Sequence, residues 1–345
     1  MQSEVDFLVG IQCITYNQSS YITDTLNGFA MQQTDFPFVA VIIDDASIDG
    51  EQEVIKSYIE EHFDHSERSG YKGWETGDAC WIFARHKGNE NCHFVAVLLK
   101  RNLYKEQEKK EAVIKNWMNT KYIALCEGDD YWIDPLKLQK QVDFLEDHPE
   151  YSLCCHGFRT YDGITNCWSE GYVNGFFVKY PKGFSFNRID NLKAWMTKTL
   201  TMMYRKDYAG QIKWPNYKYK RDTHLCYHLL KMGNGYCLPI VGAVYRKTDQ
   251  GIFSSLDYFQ RCEIDFLICY EIARNNPEDL ELQIIYEEEK LALFEMIRIR
   301  FRQHEIQKEV RRLVNIYSRA VYEDQGLKAV LFSFSKMIKS YIKGF

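Results

Sequence analysis

The sequence predicts an α/β protein: a sheet of the nucleotide-binding kind flanked by helices, followed by a helical C-terminal extension. Three observations predict it. Short apolar, β-branched runs alternate with helix-length segments through the first 130 residues, and that alternation builds parallel βαβ units. The runs end in polar or acidic turns, where open α/β sheets hold their ligands. After about residue 257 the pattern is helical to the end.

The elements follow in order. Residues 7–14 form an apolar run that reads as a buried strand. A polar turn of Thr15, Tyr16, Asn17, Gln18, Ser19 and Ser20 comes next, with Ser19 or Ser20 expected to cap a helix reaching about Met31. Residues 38–43 form a second strand, ending in Asp44 and Asp45, and a helix runs from about Gly50 to Glu61. Residues 62–93 are polar, glycine-containing and without clear period; they read as a long excursion at the sheet edge, with a short strand near Trp81. The rhythm resumes with a strand at 93–100, a helix near 107–118 and a strand at 122–126. Beyond it come a helix at 136–147 stopped by Pro149, a strand at 151–156, and aromatic, glycine-rich loops over 157–190. A helix near 191–197, a strand at 199–205, a helix near 222–232 and a strand at 236–246 complete the pattern. The expected organisation is one domain over 1–255, with halves 1–130 and 131–255, and a helical region over 256–345.

Composition narrows the function. The chain has 345 residues, 46% of them apolar, enough for a sizeable core. A net charge of -5 gives no general basis for nucleic-acid binding, which leans on clustered positive charge. The N-terminal segment lacks the basic and apolar regions of a secretory signal, and no uncharged apolar stretch reaches about 18 residues. The 11 cysteines are scattered through apolar runs, the pattern of reduced, buried thiols in a cytoplasmic protein. Cys154, Cys155 and His156 are adjacent rather than spaced as zinc ligands.

The chemistry concentrates at Glu127-Gly128-Asp129-Asp130, directly after the strand at 122–126. Carboxylates crowded together repel unless a cation sits among them, and Mg²⁺ often combines one or two carboxylates with substrate phosphates. Taken alone, the motif also reads as a solvated acidic turn or a helix cap.

The stretch YIALCEGDDYWIDPLKLQKQVDFLEDHPEY resembles the metal-site region of family 2 glycosyltransferases of the GT-A fold, a Rossmann-like mixed sheet flanked by helices, and especially bacterial members that assemble surface polysaccharides. IQCITYNQSSYITDTLNGFAMQQ, VIIDDASIDG and RDTHLCYHLLKMGNGYCLPIVGAVYRKTDQGIFS resemble further motifs of that family, in its order; together they cover about 1–60 and 95–255. The resemblance implies an inverting hexosyl transfer from a nucleotide-diphosphate sugar, uridine-linked by preference, to a hydroxyl of a glycan or lipid-linked acceptor. It places Thr15, Tyr16 and Asn17 at the nucleotide, and Asp45 with Asp44 at base and ribose. Asp129 would bind the metal, Mg²⁺ or Mn²⁺, that bridges the phosphates; Glu127 stands where many relatives carry the first Asp of Asp-x-Asp, and Gly128 lies between them. Asp130 would support the site or cap a helix, Arg101-Asn102 would form a loop near the donor, and Trp132 would line the acceptor pocket or pack in the core. Asp222, after Arg221, matches the family's catalytic base. There is one departure: Thr248 stands where relatives often carry His, leaving Arg246 or Lys247 to supply positive charge at the diphosphate.

Two alternatives remain at this point: a catalytically inactive relative acting as a scaffold, and a nucleotidyl or phosphosugar transferase. Residues 326–345 also read in two ways. As one helix they put Lys328, Lys336, Lys339 and Lys343 opposite an apolar side. Such a face suits the inner surface of a membrane, or packs on the chain's own domain or on a second copy in a homodimer.

Overall fold

The computed structural model describes residues 5–104, 106–218, 220–248 and 256–300. The tail at 326–345, with its membrane and dimer readings, lies outside them. The chain divides into two compact units, Met1–Leu256 and Asp257–Phe345.

The first unit opens as expected: β1 (Val9–Thr15), α1 (Ile22–Ala30), β2 (Phe38–Asp44) and α2 (Glu51–His62). β1 pairs in parallel with β2. α1 buries Ile22, Leu26 and Phe29, spaced along one helical face. Its N-cap is Tyr21, with no side-chain cap, which corrects the expectation for Ser19 or Ser20. The Ser19 N–H instead donates to Asp49 Oδ2 at 2.9 Å, so this serine joins the first turn to the second. α2 starts after Gly50, whose φ of 88° lies in the left-handed region that glycine enters without steric cost.

The excursion is more ordered than its composition suggests. β3 (Phe63–Asp64) and β4 (Lys72–Glu75) each pair antiparallel with β5 (Ala79–His86), which extends the sheet antiparallel to β6 (Cys92–Leu99). Then come α3 (Gln107–Ile114), β7 (Tyr122–Leu125), β8 (Tyr131–Trp132), α4 (Lys137–Asp147) and β9 (Tyr151–Asp162). β9 runs six residues past the expected end because β10 (Cys167–Glu170) folds back to pair with it. α5 (Phe176–Lys179) and β11 (Phe184–Phe186) follow. α6 (Arg188–Ala194) starts earlier than expected because Asn187 and Asp190 form a capping box. Residues 199–205 split into a 3₁₀ turn, Thr199–Thr201, and a short β12 (Met203–Arg205). α7 (Lys206–Gln211), α8 (Asp222–Met232) and β13 (Asn234–Lys247) complete the unit.

The sheet is mixed, with strands ordered β11-β13-β9-β12-β7-β1-β2-β6-β5-β3. β2 and β6 are buried along their whole length, as central strands covered on both faces are. Alternate residues feed two cores: Ala40 and Ile42 with Phe29, Phe94 and Trp132 on one face, Val39 and Val41 with Val95, Trp117 and Met202 on the other. β12 is antiparallel to both β7 and β9, so β9 and β13 run in the direction of β1, β2 and β7. Their carboxyl ends therefore share one edge, where a ligand site is expected.

The second unit, as far as it is described, is a helical hairpin of α9 (Tyr258–Asn275) and α10 (Leu280–Arg300). Asp257 caps α9 by accepting the Gln260 N–H at 2.9 Å. Among the described residues no helix is long and apolar enough to cross a membrane.

Candidate active site

At the carboxyl edge the turns after β1 and β2 form one cradle. Asn17 adopts φ 55°, which asparagine tolerates. Its N–H donates to Ser47 Oγ and its Oδ1 accepts from the Ile48 N–H, each at 2.9 Å. Glu51, fully buried at the start of α2, is the hub that the sequence reading missed. It accepts from the Thr15 hydroxyl, and from Gln18 N–H and Ser47 Oγ at 2.9 Å each. Burial raises its pKa. An acidic residue at a helix start ordinarily reads as a dipole partner, so its sequence gave no warning. Tyr16 beside the cradle is exposed.

The third turn closes against this cradle at Gly128. A Cβ there would sit 2.2 Å from Thr15 Oγ1 and 2.6 Å from Gln18 Oε1, so only glycine fits. The Thr25 hydroxyl approaches the carbonyls of Gly128 and Asp130 at 2.8 and 2.6 Å, fixing the acidic loop to α1.

The acidic residues separate by role. Asp130 is buried and accepts the Arg246 backbone N–H at 2.7 Å, tying the loop to the end of β13; it caps no helix, since α4 begins at Lys137. Glu127 accepts from Thr199 Oγ1 at 2.6 Å. Burial raises Glu127 to about 7, assisted by the charges of Asp129 and Asp222. Burial also raises Asp129, partly offset by Arg246. Asp130 is pushed well up by burial, then by Asp129 and Glu127. Asp222 is the first residue of α8 rather than its cap, which is Arg221, an exposed residue. Burial raises the Asp222 carboxyl as well, and the Thr223 N–H that donates to Oδ1 at 3.0 Å, then the charges of Lys198 and Arg221, pull the other way.

Two cations stand at this cluster. The Arg246 guanidinium lies between the rings of Tyr21 and Tyr131, 4.9 and 4.7 Å from their centroids, and its Nη2 bonds Asp24 at 2.6 Å. Its Nη1 is buried without an acceptor among the described residues, an opening for an anion. Lys198, absent from the sequence reading, lies over Tyr245; burial lowers its pKa, and the charges of Asp130, Asp222 and Glu127 pull it back up. Lys247 is exposed and Thr248 is buried.

Two expectations need correction. Asp45 is 2% exposed, and its oxygens accept from Leu103 N–H and Lys110 Nζ at 2.6 Å each, so it faces the protein and not a base or ribose. Asn102 donates to the Asp45 carbonyl and accepts from Tyr104 N–H, which makes it part of that turn; Arg101 pairs with Glu106 and Asp78 at the surface. Of the two readings of Trp132 the core one holds: it is buried against Phe29, its indole N–H donates to the Leu200 carbonyl at 2.8 Å, and Lys137 sits over its ring. Asp44 keeps one buried oxygen, Oδ2, without a partner among the described residues; the other accepts from Ser47 N–H and Gln52.

To a divalent cation the donor set offers carboxylates but, among the described residues, not a complete protein ligand shell. Buried carboxylates held close together are under mutual repulsion that a hard cation relieves. Among the described residues no group of three or more His, Cys, Asp or Glu is arranged to hold a metal alone. A cation at Asp129 would therefore draw other ligands from a bound phosphate and water.

Comparison with known proteins agrees with this picture of the fold. No family model matches the chain. Over 151 residues it is 36% identical to an uncharacterised protein of Mycobacterium tuberculosis, a match covering 44% of this chain and 35% of that one. The matched segment thus spans about a third of that relative's length. The chain is 25% identical over 253 residues to TuaG of Bacillus subtilis, a putative teichuronic acid biosynthesis glycosyltransferase, covering 72% of this chain and 82% of that protein. Among solved structures it resembles the mannosyltransferase PcManGT from Pyrobaculum calidifontis, in complex with GDP-Man and Mn²⁺, with TM-score 0.53, 13% identity, and 97% and 88% of the two chains covered. At that identity the likeness is one of fold: a large mixed sheet flanked by helices.

Proposed function

We propose that this chain is an inverting, metal-dependent glycosyltransferase. It moves a sugar from a nucleoside diphosphate donor, uridine-linked by preference, to a hydroxyl of a glycan or lipid-linked acceptor in surface-polysaccharide synthesis. The observation that carries the reading is the convergence of Glu127, Asp129, Asp130 and Asp222 at the carboxyl edge of the sheet, each with its carboxyl raised by burial. The likeness to TuaG supports the substrate class, and the Mn²⁺ and GDP-Man bound to PcManGT support a cation and a nucleotide sugar.

In this reading the cradle presents Tyr16, Asn17 and Gln18 to the nucleotide, with buried Thr15 and Glu51 bracing it from beneath. Asp129 holds the cation, which when bound offsets the charge developing on the leaving diphosphate. Arg246 offers Nη1 to the same diphosphate. Asp222 accepts the proton of the acceptor hydroxyl as it attacks the anomeric carbon, and a single displacement inverts that centre.

The test is metal-dependent release of nucleoside diphosphate from a panel of nucleotide sugars with glycan acceptors. Turnover lost with a chelator and restored by Mn²⁺ is expected. Asp222→Asn should lower kcat by about 10²–10⁴-fold and leave nucleotide affinity unchanged. A folded protein that turns over no donor sinks the reading and favours a scaffold.

A further inference from the structure

We propose that Lys198 is a positioning residue of the transfer reaction, set between the acidic loop and the start of α8 so that its ammonium orients the Asp222 carboxylate toward the acceptor. The inference rests on the glycosyltransferase reading.

Three consecutive side chains place it. Thr197 Oγ1 lies 3.2 Å from Cys226 Sγ, and Cys226 is one turn along α8 from Asp222. Thr199 Oγ1 donates to Glu127 Oε2 at 2.6 Å. Lys198 stands between the two, so the 197–199 segment is the bridge from the helix carrying the base to the loop carrying the metal-side carboxylates. Its backbone is fixed: the Lys198 carbonyl accepts the Thr201 N–H at 2.9 Å and the Thr201 hydroxyl at 2.7 Å. Its side chain crosses Tyr245, with Nζ 4.3 Å from the ring centroid. Tyr245 immediately precedes Arg246, whose N–H holds Asp130. Burial lowers the pKa of this ammonium and the charges of Asp130, Asp222 and Glu127 offset that, so the bridge sets it in the field of both the base and the acidic loop.

The chemistry suits that place. An ammonium carries three donors, no acceptor and a compact charge, and its attraction to carboxylates strengthens where water is scarce. Arg246 is already bound to Asp24 and stacked between two tyrosines, so it serves the donor side. Lys198 faces the base. The Thr223 N–H fixes one oxygen of Asp222, Oδ1, at 3.0 Å, which leaves the other for the ammonium to orient.

The experiment compares Lys198→Met and Lys198→Arg with wild type, measuring kcat and acceptor KM for sugar transfer and, by calorimetry, nucleoside diphosphate affinity with Mn²⁺. For Lys198→Met a fall in kcat of about 10²-fold is expected, the size of a small misplacement of a reacting group. Nucleotide affinity should stay within about twofold, and Lys198→Arg should recover about tenfold of the lost rate, since it restores the charge. A Lys198→Met enzyme with wild-type kcat overturns the proposal. So does parallel loss of kcat and nucleotide affinity with no recovery in Lys198→Arg, the signature of a purely structural role. A wild type inert toward every donor overturns the parent reading first, and is seen without any variant.

Discussion

Lys110 and Asp45 form a buried ion pair: Nζ lies 2.6 Å from Oδ2, and the two side chains are 4% and 3% exposed. The other Asp45 oxygen accepts the Leu103 N–H. Removing one partner would strand a buried charge, which costs about 3–5 kcal/mol. Asp45→Ala and Lys110→Met are each expected to lower unfolding free energy in urea by that order. The double variant should lose much less than their sum, because both charges then leave together. Additive losses would show that the pair does not couple.

The pair also marks how far the sequence was legible. The acidic loop and Asp222 were readable because each is a short linear pattern beside a periodic segment, and burial leaves that pattern intact. Glu51, Lys110, Lys198 and Thr199 were not, because their partners are fixed by strand register and helix packing across the chain. Thr199 is 72 positions from Glu127, and Lys110 is 65 from Asp45. Asp45 looked like a ligand contact for the same reason: its distant partner was invisible. The excursion at 62–93 did hold a signal, the alternation of Ala79, Trp81 and Phe83 toward the core, but its polar surroundings masked the period.

Gly128 predicts a graded response to volume. Alanine brings its Cβ to 2.2 Å from Thr15 Oγ1. Either the acidic loop or the cradle must move, at about 1–3 kcal/mol, the usual scale of overpacking. Gly128→Ala should weaken nucleoside diphosphate binding by at least about tenfold in calorimetry, equal to about 1.4 kcal/mol. Unchanged affinity would mean the two turns do not form one binding surface.

Glu51 is expected to act through the cradle and not through the reaction. Glu51→Ala strips the acceptor from Thr15, Gln18 and Ser47. Each buried donor left unsatisfied costs about 1–3 kcal/mol. Glu51→Gln keeps an acceptor for the Gln18 N–H, and the two hydroxyls can rotate to suit the new amide. Nucleotide affinity and thermal midpoint should therefore fall much further in the alanine variant than in the glutamine variant. Equal losses would show that charge, and not hydrogen-bond acceptance, is what the site needs.

Glu127 gives a pH signature that can be read without turnover. Burial raises its carboxyl from 4.5 to about 7, so the folded chain binds this proton more tightly than the unfolded chain does. The stability gained from that difference is complete below about 4.5 and is lost as pH climbs through about 7. His156 and His228 pull the other way: burial lowers them from 6.5 to about 3 and about 4, so they cost stability as pH falls below 6.5. Those groups are common to wild type and Glu127→Gln, so the difference between the two isolates Glu127. In chelator, wild type should lose thermal midpoint relative to Glu127→Gln between about pH 4.5 and 7, by a few degrees on the scale of one to two kcal/mol. Glutamine can still accept from Thr199, so the comparison leaves that contact in place. Adding Mn²⁺ with nucleoside diphosphate should shrink the gap, because a bound cation favours the ionised carboxylate. A pH-independent difference would show that Glu127 is already ionised in the folded chain, and that the acidic cluster is less strained than its burial requires.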